Sequence, residues 1–144
     1  MPFIHPERRL NLGGTIEAYR DDLPTLQREG VRAIVCLLNS PNDIAVFQTA
    51  GFDFKCLPIA DGHAPTLEQA NEFLVFVEQA RWRNRPVVVY CEAGLGRTGT
   101  MLAIYLIHTG KTAQAAFTAV RAVEPAAIET RVQVDFLEQF EKSR

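Results

Sequence analysis

The chain has 144 residues, a formal net charge of −2, 47% hydrophobic and 22% charged residues, and a mean hydropathy near zero. These values suit one domain, residues 1–144, with a real hydrophobic core, and they exclude the overall basic field that would hold nucleic acid or an anionic membrane. No apolar run reaches membrane-spanning length, and "MPFIHPERRL" lacks the apolar stretch of a secretory signal, so the expectation is a soluble, cytoplasmic protein. In chain order, "RLNLGG" (Arg9 to Gly14) reads as a short strand entering a turn. Asp21, Asp22 and Pro24 open a helical pattern that Gly30 closes. Val31 to Leu38 is β-branched and apolar, a buried strand, and "SPNDIAVFQTAG" is a short helix from Ser40 to near Gly51. Phe52 to Ile59 alternates as a strand, and "ADGHAP" is a turn-rich loop.

Thr66 and Gln69 then make a capping box for a long helix, "TLEQANEFLVFVEQARWRN", whose "FLVFV" (Phe73 to Val77) packs in the core. Its basic end, "RWRNR" (Arg81 to Arg85), places cations against the helix dipole, with Trp82 expected to lie on the core. "PVVVYC" is a second continuous apolar strand. Three helices follow: Thr98 to about His108, Thr112 to about Val123, and Thr130 to about Lys142, the last opened by the capping pair Thr130 and Gln133.

Continuous apolar strands separated by helices predict an α/β fold, a central, mainly parallel β-sheet flanked by helices. Ligands of such sheets bind beyond the carboxyl ends of the strands, and Cys91 stands at such an end. Cys36, Cys56 and Cys91 are odd in number and widely spaced, which argues against a disulfide framework. No C-x-x-C pair or His/Cys cluster suggests zinc, so neither metal nor cofactor is expected. His5, His63 and His108 read as surface or loop residues.

The stretch "YCEAGLGRTG" (Tyr90 to Gly99) carries the chemistry. Thiolate formation is favoured at a helix N-terminus and beside cations, and Cys91 gains both influences if the chain turns through Glu92, Ala93, Gly94, Leu95 and Gly96 into a helix at Arg97–Thr98. Amides around such a loop form a nest for an anion. Gly94, Gly96 and Gly99 would supply left-handed dihedrals and close backbone approach. Arg97 adds a planar fork that matches two phosphate oxygens. A nucleophile and an oxyanion cradle together are the equipment of phosphoryl transfer through a cysteinyl-phosphate. The nucleotide-binding loop pattern G-x-x-x-x-G-K-[S/T] is absent.

Cys, five residues, Arg and Thr resembles the signature of the cysteine-dependent protein phosphatases, and more closely that of small, atypical dual-specificity phosphatases. The resemblance covers nearly the whole chain through "CEAGLGRTGTMLA", "PIADGHAP" and "AIETRVQVDFLEQF". It implies Cys91 as nucleophile and Arg97 as phosphate-binding arginine. The amides of Glu92, Ala93, Gly94, Leu95, Gly96 and Arg97 complete the cradle, and the Thr98 hydroxyl steadies the sulfur as leaving group. Asp61 matches the general acid, with Asp53 and Asp43 as fallbacks. Gln133 matches a residue that positions the hydrolytic water, although the capping pair explains it equally; Glu129 matches a brace for the phosphate loop.

One position departs from the family, which has histidine before the nucleophile where this chain has Tyr90; a tyrosine hydroxyl would replace part of that histidine's bonding. Glu92, in a loop without lysine, disfavours polyanionic headgroups and RNA 5′-triphosphates. The implied substrate is a phosphorylated protein or peptide, with phosphotyrosine and also phosphoserine or phosphothreonine admitted to a shallow pocket. The expected protein is a monomer with neither nucleic-acid nor membrane partner. Two rivals are a non-catalytic phosphate-binding module of the same fold, and another cysteine-loop enzyme of the sulfurtransferase or arsenate reductase type. Retention of both Cys91 and Asp61 argues against the first. The expected placement of Cys36 and Cys56 as core residues argues against an arsenate reductase, which needs resolving thiols.

Overall fold

The structure is a computed structural model that describes residues 23–28, 30–38, 44–91, 96–123 and 125–144. The expected strand at Arg9 to Gly14 and the first residues of the expected helix at Ser40 lie outside them, as do His5, Asp43 and Glu92 to Leu95. The described elements run α1 (Leu23–Arg28), β1 (Ala33–Cys36), α2 (Ile44–Thr49), β2 (Asp53–Cys56), α3 (Leu67–Trp82), β3 (Val87–Tyr90), α4 (Gly96–His108), α5 (Ala113–Val123) and α6 (Arg131–Lys142). Among the described residues the three strands form one parallel sheet in the order β2-β1-β3, with Cys36 level with Cys56 on one side and Tyr90 on the other. The expected α/β architecture is therefore present.

Successive strand residues point to opposite faces, so the sheet divides two cores. Ala33, Val35, Val87, Val89 and Cys91 face the larger one, shared with α3, α4, α5 and α6. Ile34, Cys36, Val88 and Tyr90 face the smaller one, with Leu26, Val31, Phe47 and Phe52. Both faces are covered, which is why β1 and β3 read as unbroken apolar runs and are buried at all four positions. Strand β2 differs: all four of its residues are half-buried because it forms an edge of this sheet, so the alternation expected across Phe52 to Ile59 is not seen within it. The chain nonetheless stays beside β1, with Leu57 N–H donating to Cys36 C=O at 2.9 Å and Ile59 N–H to Leu37 C=O at 3.1 Å.

The capping box at Thr66 and Gln69 is formed in both directions. Helix α3 buries Ala70, Phe73, Leu74, Val77 and Ala80, the spacing of one helical face. The same periodicity corrects two expectations. Val75, inside the apolar run, is 58% exposed, and Trp82, two residues beyond Ala80 and so on the opposite face, is 82% exposed. Helix α4 is buried along nearly its whole length, as a central helix must be, and begins at Gly96, two residues before the expected start.

Candidate active site

Cys91 follows β3 directly and is fully buried. Thr98, in the first turn of α4, donates its hydroxyl to the Cys91 sulfur at 3.0 Å. Arg97, one residue earlier, is 7% exposed. Its Nη1 donates to the carbonyl of Ile59 at 2.8 Å, and its Nη2 lies 3.8 Å from Oδ1 of Asp61. Its Nε is buried without a partner among the described residues. A buried guanidinium N–H left unpaired is costly, and a planar guanidinium fork matches two oxygens of a tetrahedral oxyanion.

Asp61 sits in a tight turn from Ala60 to His63, closed by the His63 N–H donating to Ala60 C=O at 2.9 Å. Gly62 has φ +79°, the left-handed value that a turn of this kind requires at its third position. The Asp61 side chain is 83% exposed, at the mouth of the site rather than in its floor. His63 is an exposed loop residue whose Nδ1 lies 3.0 Å from the Asp61 carbonyl oxygen. The fallback Asp53 is engaged elsewhere. Its Oδ2 is 2.7 Å from Nε of Arg85, at the opposite end of the sheet from Cys91.

The start of α6 closes the site from a third direction. Thr130 and Gln133 form their capping box. Gln133 is 1% exposed; its Oε1 accepts from Glu129 N–H at 2.9 Å and Thr130 N–H at 3.1 Å, and its Nε2 donates to His63 C=O at 3.1 Å. The Glu129 carboxylate accepts from Gly96 N–H at 2.9 Å, on the first residue of α4, where negative charge meets the positive end of the helix dipole. Glu129 is presented by a strained turn. Ile128 has φ +60°, rare for a β-branched residue, and Arg121 holds the turn by donating to the Ala127 and Ile128 carbonyls at 2.8 and 2.7 Å.

Of the glycines in this region, Gly94 lies outside the described residues, and Gly96 and Gly99 meet the expectation of close approach but not that of a left-handed dihedral. Gly96 and Gly99 are helical, so neither is present for a left-handed dihedral. Both allow close approach: a Cβ on Gly96 would lie 2.7 Å from Gln133 Oε1, and one on Gly99 would lie 2.9 Å from Ala127 Cβ. Tyr90, the departure from the family histidine, points to the other sheet face and packs in the smaller core with Cys36. Burial pushes the Cys36 pKa up, and the neighbouring Tyr90 partly offsets that rise. Cys56 is only half-buried rather than a core residue; burial, with Cys36 beside it, pushes its pKa up to about 11.

Sequence reasoning missed Arg121 and the second use of Gln69, whose Nε2 donates to Pro58 C=O at 2.7 Å. The T-x-x-Q spacing was the available signal for Gln69; nothing local pointed to Arg121. Among the described residues there is no cluster of metal-ligating side chains, and no helix is long and apolar enough to cross a membrane. A groove of about 600 Å³ lined by Lys55, Leu67, Glu72 and Val75 contains none of these site residues.

A thiol at the carboxyl end of a parallel strand, a hydroxyl on its sulfur and a buried arginine at the start of the next helix are arranged as the resemblance to the dual-specificity phosphatases implies. The chain belongs to the family described as "Polymorphic toxin system, DSP-PTPase phosphatase", which it matches over residues 10–111. It is 33% identical over 125 residues to the dual specificity protein phosphatase CDC14AB of Danio rerio, covering 86% of this chain and 20% of that protein. It is 30% identical over 140 residues to the human dual specificity protein phosphatase CDC14A, covering 96% of this chain and 23% of that protein. The chain thus spans about a quarter or less of the length of these curated relatives. The crystal structure of Tk-PTP in the active form matches with a TM-score of 0.81 and 27% identity, covering 92% of this chain and 90% of that one.

Proposed function

We propose that this protein hydrolyses phosphate monoesters on phosphorylated proteins, phosphotyrosine and also phosphoserine or phosphothreonine, through a cysteinyl-phosphate on Cys91. One observation carries the reading: the Nε of buried Arg97 has no partner among the described residues, while its Nη1 is anchored on Ile59 and Thr98 holds the neighbouring sulfur. A bound phosphoryl group supplies the missing acceptor, with the amides of Glu92, Ala93, Gly94, Leu95, Gly96 and Arg97 as the rest of the cradle.

In the first step the Cys91 thiolate attacks phosphorus, the S–P bond forms, the P–O bond to the leaving alcohol breaks, and Asp61 gives its proton to the departing oxygen. In the second step water attacks phosphorus, its proton passes to Asp61, and the S–P bond breaks to regenerate the thiolate. The Thr98 hydroxyl stabilises that thiolate as it leaves. Gln133, packed on Gly96, orients the water, and Glu129 holds the start of α4 in register with the cradle. Arg97 and the loop amides carry the charge of the transferring group, so the proposed steps need no metal.

The reading places this activity in one domain spanning residues 1–144, acting as a monomer in a reducing compartment. The free thiols Cys36, Cys56 and Cys91 support that setting. A phosphopeptide panel assayed with wild type and Cys91→Ser tests the proposal. Turnover is expected only in wild type, with vanadate or tungstate still bound by Cys91→Ser; substantial turnover by the variant would remove the nucleophile assignment.

A further inference from the structure

Every backbone carbonyl from Pro58 to His63 has a polar partner. Pro58 accepts from Gln69 Nε2 at 2.7 Å, Ile59 from Arg97 Nη1 at 2.8 Å, and Ala60 from His63 N–H at 2.9 Å. The Asp61 carbonyl lies 3.0 Å from His63 Nδ1. Gly62 accepts from the Thr130 hydroxyl at 2.8 Å, and His63 from Gln133 Nε2 at 3.1 Å. An exposed loop ordinarily leaves such groups to water. Here three of the donors belong to the residues that start α3 and α6.

The chemistry of those two helix starts is specialised in the same way. A capping box works with Glu or Gln at its third position, because only an acceptor is needed to close it. Both boxes here use Gln, and in both the amide oxygen closes the cap while the amide nitrogen, which a glutamate lacks, reaches the acid loop, the Pro58 to His63 segment that carries Asp61. Thr130 doubles its role likewise: its oxygen accepts from Gln133 N–H at 3.3 Å while its hydrogen goes to Gly62.

We propose that the two helix N-caps form a clamp that holds the acid loop ready for catalysis, with Gln69 and Thr130 as positioning residues for Asp61. The proposal rests on the reading of Asp61 as general acid. A loop with four of its six carbonyls held from outside it, and the other two by its own His63, needs no ordering step to place its carboxyl beside the leaving oxygen, and proton transfer depends steeply on that placement. Gln69 and Thr130 make no hydrogen bond to Cys91, Gly96 or Arg97 among the described residues, so their effect is expected on the leaving group.

The test compares kcat/KM on phenyl phosphate, whose leaving group needs a proton, with that on 2,4-dinitrophenyl phosphate, whose leaving group does not. Gln69→Glu keeps the cap and loses the donor to Pro58. Thr130→Val loses both roles of the hydroxyl, Thr130→Ser keeps both, and Asp61→Asn is the reference. Gln69→Glu and Thr130→Val are each expected to lower the phenyl to dinitrophenyl ratio by about tenfold, with Thr130→Ser within about twofold of wild type. A merely structural role would lower both substrates together and leave the ratio unchanged, and that result overturns the clamp. If Asp61→Asn shifts the ratio while the cap variants do not, the clamp alone falls; if Asp61→Asn leaves it unchanged, the acid assignment falls and the clamp with it. Should Thr130→Val fail to fold, Gln69→Glu decides the question by itself.

Discussion

The hydroxyl of Thr98 and the sulfur of Cys91 are 3.0 Å apart, joined across the loop between β3 and α4. A hydrogen bond to a charged sulfur is worth about 1.5–3 kcal/mol, and in the proposed mechanism it matters most when the thiolate departs. Thr98→Ala is therefore expected to slow hydrolysis of the phosphoenzyme by roughly 10- to 100-fold. Formation of that intermediate should slow less. Rapid-quench measurement of the burst checks this, with a larger burst relative to the steady state as the expected result; equal slowing of both steps would remove the leaving-group role.

Arg97 acts through the shape of its head group as well as its charge. Arg97→Lys keeps a cation but loses the planar fork that reaches Ile59 with one nitrogen and offers Nε to a ligand. Loss of one donor to an oxyanion costs about 10²–10³-fold in kcat, and that loss is expected here. Affinity for vanadate should fall with it. Activity near the wild-type value would show that the guanidinium does not hold the phosphoryl group.

Gly99 is a packing glycine. Its Cβ would stand 2.9 Å from Ala127 Cβ and 3.2 Å from the backbone nitrogen of Ile128, on a turn that already carries a residue at φ +60°. Backbone cannot move aside as a flexible side chain can. Gly99→Ala is expected to cost about 1–3 kcal/mol of stability, seen as a lower midpoint in urea with an unchanged slope. An unaltered midpoint would mean that the turn is free to shift.

The Cys56 thiol gives a pH dependence whose sign follows from its shift. Burial raises its pKa from 9.0 to about 11 in the folded chain, so between those values the unfolded chain loses a proton that the folded chain keeps. The contribution to stability is complete below pH 9 and is lost as pH rises from about 9 through about 11. The shift of Cys36 has the same direction and adds to the loss. Cys56→Val should flatten the decline in unfolding free energy over that interval; an identical decline in the variant would assign it to other groups.

Local patterns in the sequence carried the elements that define this fold. The capping boxes at Thr66/Gln69 and Thr130/Gln133, the apolar strands within Val31 to Leu38 and Pro86 to Cys91, and the Cys91-to-Arg97 spacing all depend on neighbours within a few residues, and all are present in the structure. The face taken by Val75 and Trp82 was also implicit in the 3.6-residue period, but a continuous apolar run conceals which of its members turns outward.

By itself the sequence determined that a thiol ends a buried strand, that an arginine opens the next helix, and that an aspartate occupies a turn upstream, because periodicity, caps and turns are written in adjacent residues. Only the tertiary structure decided that Thr130 reaches Gly62 across 68 positions of chain, that Gln133 lies against Gly96, and that Arg97 meets Ile59 and Asp61. Such meetings are set by how helices pack on the sheet, and packing satisfies buried polar groups with whatever donor the fold brings near. The sequence holds those donors without marking their targets.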